Sequence, residues 1–228
     1  MATSRRPGRR LLSFDRCLGV RFVAGADEAG RGSLAGPLVT AGVLFDYARL
    51  RDHRVRPLAL LNDSKQVDPA ERERLFAAVA ACATRVAVRV IPPAAIDRDG
   101  LHRSNLRGLR EALAALTPPA EACLVDGFRL GPLAPEHEAV VDGDTKSAAI
   151  AAASIVAKVV RDRAMRRFAA VFPQYDFASH VGYITPGHSA IVRRLGPSSI
   201  HRRSFDARCY AELEDDLDGA GLLTAARA

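Results

Sequence analysis

Neither a disulfide framework nor a zinc site is written into this chain. Its four cysteines, Cys17, Cys82, Cys123 and Cys209, lie far apart with no C-x-x-C pair, the pattern of small core residues in a reducing compartment. The uncharged run over residues 32–45 falls short of the roughly 20 residues a bilayer demands. Gly36 and Pro37 also break it, so no membrane association is expected. Residues 1–10 hold four arginines and no acid, but no apolar stretch follows before Asp15 and Arg16. The expectation is a loose basic tail over residues 1–18 in place of a secretory signal, with a transit peptide as the remote alternative. No internal repeat is present.

What is present is ordinary globular material: 48% hydrophobic and 26% charged residues over a 228-residue chain, enough for one sizeable core. Lysine and arginine outnumber aspartate and glutamate by 33 to 26, giving a formal charge of +7 and a pI near 9.7. Such a balance favours a polyanionic partner, nucleic acid first among them.

Residues 21–27 and 37–45 are apolar runs of strand length joined by a glycine-rich turn. Asp68, Pro69 and Glu71 open a helix to about residue 83 by three signals together: an N-cap acid, proline at the first helical position and a glutamate three residues after the cap. Residues 85–91 alternate valine with arginine, the pattern of a half-buried strand. A second helix is expected over roughly 103–116, short strands over 122–126 and 138–141, and a long helix over about 146–170. The first half of that last helix is small and apolar nearly all round, so it predicts burial on most sides. The acidic tract 212–218 reads as a solvated helix face. Strands alternate with helices while two early strands share a short turn, which predicts an α/β fold with a mixed sheet covered by helices.

Acids recur at the ends of apolar strands: Asp27-Glu28, Asp126, and Asp142 with Asp144. Taken singly, each is ordinary turn chemistry. Gathered at one sheet edge they repel one another unless a cation neutralises them. Oxygen donors without histidine or cysteine at metal spacing point to Mg²⁺ or Mn²⁺, and a carboxylate cluster beside basic surface suits two-metal phosphodiester hydrolysis. Because neighbouring strand residues point to opposite faces, Asp27 and Glu28 are expected to reach one site only if the strand ends or bends between them. Gly30 and Gly32 would supply that freedom.

Several stretches together resemble the bacterial ribonuclease HII family. They are Asp27-Glu28-Ala29-Gly30-Arg31-Gly32, Asn62-Asp63-Ser64-Lys65-Gln66, Leu124-Val125-Asp126-Gly127 and Gly143-Asp144-Thr145-Lys146-Ser147, followed by residues 151–163, His180-Val181-Gly182-Tyr183 and His201-Arg202-Arg203-Ser204-Phe205. The resemblance spans about residues 22–205 in family order. It implies a ribonuclease H-like mixed β-sheet flanked by helices, with a single catalytic domain over 19–228 and a helical C-terminal portion from about 172. It further implies a metal-dependent endonuclease that hydrolyses the RNA strand of RNA-DNA hybrids and nicks at single ribonucleotides embedded in duplex DNA, acting as a cytoplasmic monomer in primer removal and ribonucleotide excision.

Carried over by motif position, Asp27, Glu28, Asp126 and Asp144 would be the catalytic ligands of two divalent ions, Mn²⁺ or Mg²⁺. Asp142 also ends a strand but is set aside because the family motif places its acid directly before x-Lys-Ser, which here is Asp144 before Thr145-Lys146-Ser147. Gly30, Arg31 and Gly32 resemble the loop that reads the ribose 2′-hydroxyl, and Tyr183 the residue that packs on the neighbouring sugar at an RNA-DNA junction. Ser64, Lys65 and Lys146 resemble phosphate contacts. Val181 departs from the family, which usually carries lysine or arginine there, and the departure bears on affinity more than on chemistry. His180, His188 and His201 lack an evident carboxylate partner and are expected to be structural or substrate-adjacent. Arg163, Arg166 and Arg167 are accounted for by the helix dipole. The related ribonuclease HIII usually has Gly-Thr-Gly at the loop, and a non-catalytic hybrid binder would lack one of the four acids; here all four are present.

Overall fold

The computed structural model describes residues 7–50 and 56–210. Its centre is a five-stranded sheet of β1 (Phe22–Ala29), β2 (Leu38–Asp46), β3 (Arg85–Ile91), β4 (Ala122–Asp126) and β5 (Glu138–Val140) in the order β3-β2-β1-β4-β5. β1, β2 and β3 form an antiparallel meander, while β4 and β5 join parallel to β1. The sheet is therefore mixed and helix-covered, as the run of short apolar strands predicts.

One face is covered by the helix Ala148–Val171, whose first ten residues are all buried. Small side chains let that helix lie against β1 so closely that a Cβ added at Gly25 would sit 2.1 Å from the backbone of Ala149. The opposite face is covered by the helix Leu101–Ala114, which packs Leu109 and Leu113 on Ala24 and Ala26. Ahead of it runs the short helix Pro93–Asp99. The helix Pro69–Cys82 starts as its sequence predicts, with the Asp68 carboxylate accepting the Ala70 and Glu71 amides at 3.0 Å each.

The expected loose tail over 1–18 is corrected in its second half. Pro7–Arg16 form a helix that buries Leu11 and Leu12, and full burial of such a side chain stabilises by roughly 1.5–3 kcal/mol. The next turn buries Asp15, which accepts the Tyr47 hydroxyl at 2.7 Å and the Ala149 amide at 2.9 Å. An acid 134 positions away in sequence thus caps the long helix, where the dipole favours negative charge. Nothing in the arginine-rich text signals this, because the partner amide is supplied by the fold.

In chain order we number the helices α1 (Pro7–Arg16), α2 (Pro69–Cys82), α3 (Pro93–Asp99), α4 (Leu101–Ala114), α5 (Ala148–Val171), α6 (Phe177–His180) and α7 (Pro186–Leu195). α6 and α7, with the 3₁₀ turn Pro173–Tyr175 and helical residues 208–210, belong to the helical C-terminal portion among the described residues. The acidic tract 212–218 and residues 1–6 lie outside them.

Candidate active site

The carboxyl ends of β1, β4 and β5 lie on one edge of the sheet, because these strands are parallel, and ligands gather at that edge in α/β folds. Asp27 and Glu28 belong to β1, Asp126 ends β4, and Asp144 lies in a single 3₁₀ turn, Gly143–Thr145, just past β5.

The expectation that β1 ends or bends between its two acids is corrected: pairing with β2 continues through Asp27↔Ala41, Glu28↔Thr40 and Ala29↔Val39. What stops is the pairing with β4, at Ala26↔Val125. Alternation sends Asp27 to the α5 face, near Ser154, and Glu28 to the α4 face, beside Asn105. The end of β4 opens the sheet edge to both.

Asp126 is tied to the turn that follows β5, its Oδ1 accepting the Gly143 amide at 2.7 Å. Asp142 and Asp144 go opposite ways. Asp142 takes a left-handed backbone (φ 50°) and is exposed, whereas Asp144 is buried.

Burial and mutual repulsion raise the acids together. Asp27 is held well above the ordinary carboxylate range by burial and by the charges of Glu28 and Asp126. Burial lifts Glu28 to about 7 although Asn105 and Arg31 draw it back. Burial raises Asp126 against the Gly143 amide, and burial with Asp63 and Asp126 takes Asp144 to about 6. Lys65 shows the converse: burial works to lower it, yet Asp63, Asp144, Asp27 and Asp126 keep it above the usual lysine range.

A cleft of about 250 Å³ is lined by Asp27, Glu28, residues 29–32, Ser64, Lys65, Asp126, Ser154, Lys158 and Tyr183. Ser64 is held from behind, its hydroxyl accepting from Ser154 at 2.9 Å and its carbonyl accepting from Arg72 at 3.0 Å. Lys146 stands outside this lining and donates to the Val141 carbonyl at 2.7 Å. A larger hollow of about 470 Å³ lies at the other end of β4, among Leu113, Leu116, Cys123 and Glu138, far from the acids.

Tyr183 is positioned by the C-terminal helices. Its ring lies 5.2 Å from Lys158 Nζ and 5.1 Å from the Arg161 guanidinium carbon, and Lys158 is steadied by Asp162 at 2.7 Å. Behind it runs a histidine relay whose tautomers follow from its ends. The Ser198 amide donates to His201 Nδ1 at 2.9 Å, so the proton of His201 is on Nε2 and points at His188 Nε2, 3.0 Å away. His188 then donates from Nδ1 to the Tyr183 carbonyl at 2.9 Å. Burial lowers His188 to about 4 and His201 to about 3, so both stay neutral. Val181 has the left-handed φ of 43°, uncommon for a β-branched residue, and its carbonyl accepts from Arg161 at 2.9 Å.

Asp63, Asn105, Ser154 and Lys158 are the residues that sequence reasoning did not place at the site. Ser154 and Lys158 carry a readable signal, polar positions four apart within and just past the apolar first half of α5. Asn105 shows only as a lone amide on the buried face of α4.

The donor set suits a hard divalent cation. It is all oxygen, buried at Asp27 and Asp144 and half-buried at Glu28 and Asp126, and self-repelling, and neither Glu28 Oε2 nor either amide atom of Asn105 makes a well-formed hydrogen bond. Among the described residues no three acids, histidines or cysteines converge into a ready-made cage.

The chain is similar to known proteins over nearly all of this structure. The family model described as Ribonuclease HII matches residues 24–208. The Ribonuclease HII of Parafrankia sp. (strain EAN1pec) is 46% identical over 198 residues, covering 86% of this chain and 80% of the relative. That of Salinispora tropica is 48% identical over 198 residues, covering 86% and 72%. Among solved structures, the ribonuclease H2 from Pyrococcus horikoshii OT3 superposes with a TM-score of 0.71 at 27% identity, covering 85% of this chain and 98% of that one. With this sheet, this acidic edge and this likeness, the chain belongs to the ribonuclease HII family and is a ribonuclease H.

Proposed function

We propose that the chain cleaves the RNA strand of RNA-DNA hybrids and nicks on the 5′ side of a single ribonucleotide embedded in duplex DNA, leaving 3′-hydroxyl and 5′-phosphate ends. In this reading Asp27, Glu28, Asp126 and Asp144 hold two divalent ions, Mn²⁺ or Mg²⁺. One observation carries it: all four acids gather at the edge where β1, β4 and β5 end, beside a cleft lined by residues 30–32, Lys65 and Tyr183.

Bound there, divalent ions supply an activated water and stabilise the leaving oxygen. The chain's own residues do the rest. Asp63 and Lys65 flank the acids with opposite charges, and Lys65 and Lys158 meet the phosphates of the strand to be cut. Residues 30–32 present backbone to the sugar, while Tyr183 lays its ring against the next one. Ser64 braces the Lys65 turn from its buried position. Lys146 reaches the duplex from outside the cleft as a screened phosphate contact. The reading includes one catalytic domain, now with α1 in it, working as a cytoplasmic monomer in ribonucleotide and primer removal.

The test is a DNA duplex with one ribonucleotide, incubated with the purified chain and Mg²⁺, Mn²⁺ or EDTA. A nick immediately 5′ of the ribonucleotide, present with either metal and absent in EDTA, is expected. Cleavage in EDTA, or cutting of an all-deoxy duplex at the same rate, contradicts the reading.

A further inference from the structure

Two guanidiniums lie fully buried under the cleft, Arg161 on α5 and Arg202 beyond α7. Neither pairs with a carboxylate; every hydrogen bond they make among the described residues goes to a backbone carbonyl. Arg161 donates to Pro37, Val181 and Ala35 at 3.1, 2.9 and 3.1 Å. Arg202 donates to Gly36 and Arg31 at 3.0 Å each, and its Nη2 has no partner. Burying a cation without an acid is costly, so two in contact with one loop call for a reason beyond packing.

The reason lies in what they do to the peptides. The Arg31–Gly32 bond is trans, so its C=O and N–H point opposite ways. With Arg202 drawing the Arg31 carbonyl inward, the Gly32 amide is turned outward, toward the cleft that Gly32 lines. That amide has no acceptor among the described residues, and nothing lies within 4 Å of where a Gly32 Cβ would be. Arg161 fixes the other end of the loop: its Nε lies 1.9 Å from the place a Cβ on Gly30 would take. Through Val181 and the face of the Tyr183 ring, the same guanidinium holds the tyrosine in register with the loop.

We propose that Arg202, backed by Arg161, is the positioning residue for ribose discrimination: it fixes the Gly32 amide as a preset donor for the 2′-hydroxyl. The proposal deepens the function above and rests on residues 30–32 being the sugar-reading loop. A lysine at 202 would keep the charge, but one ammonium on a flexible stem cannot reproduce the fork that spans two carbonyls.

The experiment uses the full chain and two duplexes that differ by one 2′-hydroxyl. KM is measured for the ribonucleotide duplex and Ki for the all-deoxy duplex as competitor. In Arg202→Lys the ratio of Ki to KM is expected to fall about tenfold or more while Ki itself holds and the chain stays folded, with a lowered melting temperature. An unchanged ratio in a folded Arg202→Lys overturns the proposal. A ratio of one in the unmodified chain instead overturns the reading of the loop, which separates the two failures. Where Arg202→Lys does not fold, amide exchange on the unmodified chain in EDTA decides. Gly32 should be protected by the ribonucleotide duplex and left open by the all-deoxy one; equal protection, or none, overturns the proposal.

Discussion

The Asp126 carboxylate accepts the Gly143 amide at 2.7 Å, so one strand-end acid holds the turn that carries another, Asp144. Asparagine and alanine at position 126 should therefore part company. Asp126→Asn keeps the Oδ1 acceptor and removes a charge that raises its neighbours; in EDTA it should be more stable than the parent by about 1 kcal/mol. Asp126→Ala strands the Gly143 amide and should lose about 1–3 kcal/mol. Both should abolish cleavage, and Asp126→Asn should still bind hybrid. Urea denaturation beside a cleavage assay checks this, and near-parental cutting by Asp126→Asn with Mn²⁺ would remove it from the ligand set.

Divalent cation should raise the melting temperature of the metal-free chain, because it neutralises acids that burial and mutual charge hold above their ordinary pKa. Glu28→Gln should lose most of that rise. Thermal melts with Mg²⁺, Mn²⁺ and EDTA read it directly; an equal rise in parent and variant would place the ion elsewhere.

The glycines of the loop should answer differently to a methyl group. At Gly30 the backbone is left-handed (φ 87°) and the new carbon would overlap Arg161, so Gly30→Ala should destabilise by several kcal/mol. At Gly32 there is open space within 4 Å, so Gly32→Ala should fold normally and lose activity by obstructing substrate. Melting temperature against kcat/KM separates the two. A Gly32→Ala variant with parental activity would mean that no substrate group approaches this backbone.

Tyr183→Ala should slow cutting at a single embedded ribonucleotide more than cutting of a continuous hybrid, since only the former offers one junction to read. Loss of the apolar contact between ring and sugar is worth about 1–3 kcal/mol, or roughly tenfold in rate. Rates on both substrates under one condition check it. Equal losses would reduce the ring to a packing role.

His188 and His201 titrate in the fold at about 4 and about 3, below the ordinary histidine value near 6.5. At pH below 6.5 the unfolded chain therefore binds protons that the folded chain refuses. Stability is fully present above that pH and is lost as pH falls toward 4 and then 3, on the order of 3 kcal/mol per histidine. Urea midpoints from pH 7.5 to 4 should fall more steeply for the parent than for His188→Gln. Parallel curves would show that the relay does not set the acid limit.

The elements that announce themselves locally were legible. Asp68-Pro69 with Glu71 marks the start of α2, alternating valines mark β3, and the alanine run marks a helix buried on most sides, because capping, pleat and periodicity act within a few residues. The arginine-rich start carries no such local signal, for the opposite reason. Leu11 and Leu12 give α1 a face only once a core exists for them to enter, and Asp15 gains its role from an amide at position 149. The strand through Asp27 and Glu28 was expected to bend, since residue alternation is local knowledge while the length of a neighbouring strand is not.

By itself, then, the sequence determined which residue types are available and in what order: four acids after apolar strands, a Gly-Arg-Gly loop and a tyrosine near the end. Only the tertiary structure decided which of them share a place. The parallel pairing of β1, β4 and β5 brings their carboxyl ends to one edge. The left-handed turn at Asp142 leaves it in solvent and buries Asp144. Charge repulsion, backbone direction and burial depend on distance in space, and chain separation carries no record of that distance until the sheet has formed.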